Sequence, residues 1–164
     1  MTKAQERRVV CGDAARAAFL ADLAARPHIE ACGLLLGVST DGGWLVEEIV
    51  PLRNTHDSAS YFEFDPEELL QQDLQFGERI IGAYHSHPGG PTRPSRTDID
   101  NMHAQADSPW IWLIVSPRGA TPIGTSPDGA WSSAGVAAFR VEDSTLTEFP
   151  VEVASDADAR RLPD

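Results

Sequence analysis

Ile80-Ile81-Gly82-Ala83-Tyr84-His85-Ser86-His87 runs into Pro88-Gly89-Gly90-Pro91-Thr92-Arg93-Pro94 and then into Ser95-Arg96-Thr97-Asp98. The first segment reads as a buried strand, the second as a loop of turn formers and the third as the start of a helix. In a strand, residues two apart point the same way, so His85 and His87 present two imidazoles to one side while Ser86 faces the other. The loop can fold the chain back and bring Asp98 to the same point. Two imidazoles, one carboxylate and a water complete a tetrahedron, the donor set of an open zinc site with one Zn2+ per chain. Ser95 to Asp98 also has the form of a capping box, opening a helix that continues through Ile99, Met102 and Ala104. The two readings are compatible, because a carboxylate in the first helical turn is favoured by the helix dipole and held beside the histidine strand.

Outward from this segment the chain alternates strand and helix patterns. Arg8 to Cys11 predicts a strand, and Asp13 is the expected cap of a helix over Ala14 to Ala25. Ala31 to Gly37 and Trp44 to Val50 predict strands joined through the turn signal Thr40-Asp41-Gly42-Gly43. Pro66-Glu67-Glu68 opens a second helix, with proline and acids in its first turn. Trp110 to Val115 reads as another buried strand, and Ala134 to Val141 with Thr145 to Val151 as a late hairpin. The pattern predicts an α/β fold, a single domain over residues 1–153 with a mixed sheet flanked by helices. Residues 154–164 are polar and charged, and are expected to form a frayed tail.

A metal alone does not hydrolyse amides quickly; a general base must take a proton from the attacking water and pass it to the leaving amine. Glu30 is the candidate. It reads either as a poorly solvated carboxylate at the mouth of the Ala31 to Gly37 strand or as an exposed loop glutamate following Arg26-Pro27-His28.

These residues resemble the JAMM metallopeptidases, also called the MPN-plus or JAB-type family. The resemblance rests on Glu30-Ala31-Cys32-Gly33-Leu34-Leu35-Leu36-Gly37, on the pattern H-S-H-P-x6-S-x-x-D met by His85 to Asp98, and on Asn54 and Tyr61-Phe62-Glu63-Phe64-Asp65-Pro66 between them. It implies a fold similar to that of cytidine deaminases, with His85, His87 and Asp98 as zinc ligands, Glu30 as general base and Ser95 as hydrogen-bond donor to the oxyanion. It further implies a peptidase that cuts after the C-terminal Gly-Gly of a ubiquitin-like sulfur-carrier protein. The chain is similar to the compact bacterial members, since the stretch between Glu30 and His85 leaves little room for the long insertions of deubiquitinases. Three alternatives stand beside this one: an isopeptidase acting on protein conjugates, a non-catalytic scaffold, and an Fe(II) oxygenase, whose facial triad uses the same donors.

The formal charge of −12 on 164 residues argues against nucleic acid and anionic membranes as partners. The first eight residues carry charge without an apolar core, and no later run is long enough to span a bilayer, so a cytoplasmic location is expected. Cys11 and Cys32 are expected to be core residues, although Cys32 lies two residues from Glu30 and its thiol can approach the metal site if both share a strand face. His103, five residues beyond Asp98, is expected to point elsewhere.

Overall fold

The computed structural model describes residues 6–116 and 135–161. Among them, eight strands form a single sheet: β1 (Arg8–Gly12), β2 (Cys32–Thr40), β3 (Gly43–Leu52), β4 (Ile80–Ser86), β5 (Ile111–Val115), β6 (Val136–Glu142), β7 (Thr145–Phe149) and β8 (Val151–Ala154). Their order is β7-β6-β5-β4-β2-β3-β1-β8. The sheet is mixed: β4 pairs parallel with β5 and antiparallel with β2, and β1 pairs parallel with both β3 and β8. The helices are α1 (Asp13–Ala25), α2 (Pro66–Phe76), α3 (Arg96–Ala104) and α4 (Asp156–Ala159). No helix of the described residues is long and apolar enough to cross a membrane.

Both faces of the sheet are covered. Ala15, Phe19 and Leu23 of α1 pack with Val9, Leu35, Trp44, Tyr84 and Leu113 on one side. Phe62 and Met102 of α3 pack with Cys32, Leu34, Ala83, Trp112 and Ile114 on the other, joined by the half-buried Leu69 and Phe76 of α2. Strands buried on both faces explain why Ile111–Val115 is apolar without alternation.

Gly33 shows how the central strands interlock. A Cβ there would lie 2.3 Å from the Val50 carbonyl oxygen and 2.6 Å from the Tyr84 ring, so only glycine lets that ring cross β2. The Tyr84 hydroxyl then reaches α1 and donates to Asp22 Oδ2 at 2.6 Å. Arg26 grips the same carboxylate twice, at 2.9 and 2.7 Å, and donates to the carbonyls of Leu52 at 2.6 Å and Cys32 at 2.9 Å. One buried carboxylate thus ties the end of α1 to β2, β3 and β4. Asp22→Ala leaves Arg26 without its counter-charge and Tyr84 without an acceptor, and is expected to cost about 3–5 kcal/mol of unfolding free energy, read from the urea midpoint.

Three expectations are corrected. Asp13 does not cap α1; it is the first helical residue, Gly12 is the N-cap without a side-chain bond, and Asp156 Oδ1 accepts from Ala14 N at 3.4 Å instead. The late hairpin is β6–β7 and ends at Phe149, since Pro150 breaks the ladder and Val151 starts β8 on the opposite edge of the sheet; Ala134 lies outside the described residues. Residues 154–161 are not a frayed tail. Ala154 completes β8, Ser155 Oγ caps α4 by accepting from Asp158 N at 3.2 Å, and Ala159 is buried. Ala159 alone gives α4 its buried contact, which the acidic run around it masked.

Candidate metal and catalytic site

β4 carries His85, His87 follows one residue beyond its end with its N–H donating to Val115 O at 2.9 Å, and the Ser95 cap brings Asp98 to both. Ser95 Oγ accepts from Asp98 N at 3.1 Å while Ser95 N donates to Asp98 Oδ2 at 2.8 Å, a reciprocal capping box that fixes the carboxylate in the first turn of α3. The metal-ligand reading and the helix-cap reading of this segment therefore coexist. His85 Nε2 lies 3.1 Å from His87 Nε2 and 3.2 Å from Asp98 Oδ1, and His87 Nε2 lies 3.2 Å from Asp98 Oδ2.

These separations can be tested against a metal. Bonds of about 2.0–2.1 Å at tetrahedral angles put ligand atoms about 3.3 Å apart. The His85–His87 edge of 3.1 Å matches, and Asp98 turns one oxygen to each histidine at 3.2 Å, so that with a single carboxylate oxygen as donor the three ligand atoms lie within 4.8 Å of one another. The orientation of the rings agrees as well: His87 Nδ1 donates to the Pro91 carbonyl at 2.7 Å, so in the neutral ring Nε2 is the bare lone pair. Burial pushes His85 towards its neutral form, the form that ligates, against the pull of Asp98. His85 is stacked on Phe62 with ring centroids 4.5 Å apart, which sets its plane. The three residues fit a divalent cation, and no other His, Cys, Asp or Glu of the described residues joins the group.

Glu30 is not an exposed loop residue. It is 4 % exposed, and burial raises its carboxyl to about 7, with His87 opposing the rise and Asp98 adding to it. Its carboxylate accepts no hydrogen bond from the described residues, whereas its backbone is pinned: Glu30 N donates to Ser58 O at 2.7 Å and Glu30 O accepts from Asn54 Nδ2 at 3.1 Å. A raised, uncommitted carboxyl beside the ligands can exchange a proton near neutrality.

Two residues without a role in the sequence reading hold this arrangement. Ser86 Oγ accepts from Ala31 N at 2.8 Å, and Ser86 N donates to Ala31 O at 2.8 Å, so the residue between the two histidines locks the Glu30 segment against β4 from the opposite face. Asn54 is 1 % exposed and fully used. Besides Glu30 O, it donates to Tyr61 O at 2.9 Å and accepts from His56 N at 3.1 Å and Glu63 N at 3.3 Å. The signals were available: a hydroxyl on the inward parity of an apolar strand, and an amide between two loops.

Cys32 does not approach the metal group. β2 begins at Cys32, so Glu30 lies outside the strand, and the thiol points at Leu52 O, 3.6 Å away. Burial pushes both thiols up to about 12, and both cysteines are free. His103 is outside the ligand group, as expected, and is exposed. Tyr61, Phe62, Phe64, Asn101, Ala104 and Trp112 line a groove whose link to the ligand group is Phe62, the ring stacked on His85.

A family model described as prokaryotic homologs of the JAB domain matches residues 13–131. A desampylase of Pyrococcus furiosus is 35% identical over 94 residues, covering 56% of this chain and 62% of that protein. A CysO-cysteine peptidase of Mycobacterium tuberculosis is 27% identical over 127 residues, 76% of each chain. A Desulfitobacterium hafniense protein solved in solution superposes with a TM-score of 0.68 at 25% identity, covering 90% of this chain and 94% of that one. The chain spans about three fifths of the length of the desampylase.

Proposed function

The chain belongs to the prokaryotic homologues of the JAB domain, and from that premise we propose that it is a zinc-dependent peptidase cutting after the C-terminal Gly-Gly of a ubiquitin-like sulfur-carrier protein. The observation that carries this reading is the convergence of His85, His87 and Asp98 at 3.1–3.2 Å with the buried carboxyl of Glu30 alongside. The names of the relatives, a desampylase and a CysO-cysteine peptidase, support the choice of substrate class and set the oxygenase alternative aside.

His85, His87 and Asp98 would hold the ion, and zinc, when bound, supplies Lewis acidity that brings the pKa of a water towards about 7 and polarises a carbonyl. Glu30 takes the proton of the attacking water and returns it to the departing nitrogen as the C–N bond breaks. The Ser95 hydroxyl accepts from Asp98 N, which leaves its own O–H free to donate to the oxyanion. A Gly-Gly tail suits the groove beside Phe62, because a backbone without side chains can lie extended in a narrow cleft. Losing one oxyanion donor costs about 100- to 1000-fold in turnover, so Ser95→Ala is expected to be slow rather than dead.

The test is mass spectrometry of a sulfur-carrier protein ending in Gly-Gly-Cys, incubated with zinc-loaded protein. Release of cysteine to leave a Gly-Gly terminus is expected. An intact carrier, with stoichiometric zinc confirmed, would remove the reading.

A further inference from the structure

Glu30 is held by its backbone, and both of its main-chain groups end on the segment that begins at Asn54. Glu30 N donates to Ser58 O at 2.7 Å, and Glu30 O accepts from Asn54 Nδ2 at 3.1 Å. A glutamate carboxyl stands at the end of a flexible stem, so without polar partners its place is set by its Cα and by packing. The next residue, Ala31, is fixed separately by Ser86 through Ala31 N to Ser86 Oγ and Ser86 N to Ala31 O, each 2.8 Å. Loosening the Asn54 side therefore frees Glu30 without unzipping β2 from β4.

Asn54 in turn shapes the segment that does the holding. A primary amide has two donors and an oxygen with two lone pairs, and here all four are used. Nδ2 donates to Glu30 O and to Tyr61 O at 2.9 Å, while Oδ1 accepts from His56 N at 3.1 Å and Glu63 N at 3.3 Å. Around it Asp57 N donates to Asn54 O at 3.3 Å and Thr55 N to Glu63 O at 3.0 Å. Asn54 is 1 % exposed, so water is not at hand to replace the amide. It belongs neither to the ligand group nor to the lining of the groove that runs past Phe62. Contact with an ion or with a tail in that groove does not account for these bonds.

We propose that Asn54 is a positioning residue of the peptidase: it acts through Glu30, holding that residue's backbone where its carboxyl meets the attacking water. The inference deepens the peptidase reading above and rests on it.

The test uses zinc-loaded protein and a sulfur-carrier protein ending in Gly-Gly-Cys, with Asn54→Ser introduced into wild type and into Glu30→Gln. In wild type the substitution is expected to lower kcat by about 10- to 100-fold, the cost of misplacing a reacting group by about 1 Å. KM should stay within about twofold and zinc content should be unchanged. In the Glu30→Gln background the residual rate should fall by no more than about twofold, because the base through which Asn54 acts is already gone. An asparagine that only supported the fold would lower both rates alike. Hydrogen exchange gives a readout apart from turnover. The Glu30 amide, bonded to Ser58 O, is expected to exchange at least about tenfold faster in Asn54→Ser, with the amides of β4 unchanged. Should Asn54→Ser not fold, Asn54→Asp carries the same cycle, since it keeps the oxygen that accepts from His56 N and Glu63 N. Equal losses in the two backgrounds, a loss confined to KM, or an unchanged Glu30 exchange rate would overturn the proposal alone. A carrier left intact by zinc-loaded wild type would overturn the peptidase reading and the proposal with it.

Discussion

Replacing Glu30 with glutamine is expected to abolish turnover, by about 1000-fold or more, while leaving zinc content unchanged. The amide keeps the size of the side chain and its place at the mouth of β2, but it cannot accept a proton and later surrender it. Glu30 is not in the ligand group, so the ion has no reason to leave. A second expectation separates loss of the base from loss of fold. The buried Glu30 carboxyl is raised from 4.5 to about 7. A raised acid favours the folded state only while protonated, so the apoprotein loses stability as pH climbs from the unfolded value through about 7, and the loss is complete above it. Glutamine removes that cost. The metal-free variant is therefore expected to be more stable than metal-free wild type at pH 8 by roughly 1–3 kcal/mol, with the gap closing by pH 5. The same titration predicts an acidic limb in kcat/KM at or below about pH 7, since the bound cation favours the carboxylate. Inactive protein that has also lost zinc or melts early would point to damage, and wild-type turnover in Glu30→Gln would remove the base assignment.

The histidine strand and the capped helix were legible because each depends on spacing within one element. Parity places His85 with His87, and four residues define the cap that carries Asp98. Glu30 was ambiguous because its burial is decided by partners far along the chain: Ser58, Asn54 and, through Ala31, Ser86. No local pattern announces a backbone pinned from three directions. The same reason hid the Asp22, Arg26 and Tyr84 network, in which a helix residue reads as surface until a glycine on β2 lets a tyrosine of the neighbouring β4 reach it. The carboxyl end failed for a different cause. β8 pairs with β1 at the far edge of the sheet, so its burial depends on the first strand of the chain, and hydropathy summed over a window of acids and alanines cannot register that.

Asp98 serves two structures at once, and substitutions can separate them. Asparagine keeps an oxygen that can accept from Ser95 N, so the start of α3 should survive, but it presents no charge to the cation. Asp98→Asn is expected to lower zinc affinity by at least about 100-fold and to leave the protein inactive, with metal content measured after dialysis. Alanine keeps the Ser95 Oγ cap on the backbone N–H but loses the reciprocal bond from Ser95 N as well, and is expected to cost about a further 1 kcal/mol in urea unfolding. pH adds a third readout in the apoprotein. Burial works to raise the Asp98 carboxyl, but the hydrogen bonds of His85, His87 and Ser95 N hold it well below the usual carboxylate range. A depressed acid stabilises the fold above its unfolded value of about 3.9, and that contribution is lost as pH falls through the folded value. Metal-free wild type should therefore exceed metal-free Asp98→Asn in stability near neutrality, and the difference should shrink below about pH 4. Stoichiometric zinc in Asp98→Asn would break the ligand assignment while leaving the cap intact. Loss of zinc with an unchanged urea midpoint between the two substitutions would show that the box contributes nothing beyond placing the ligand.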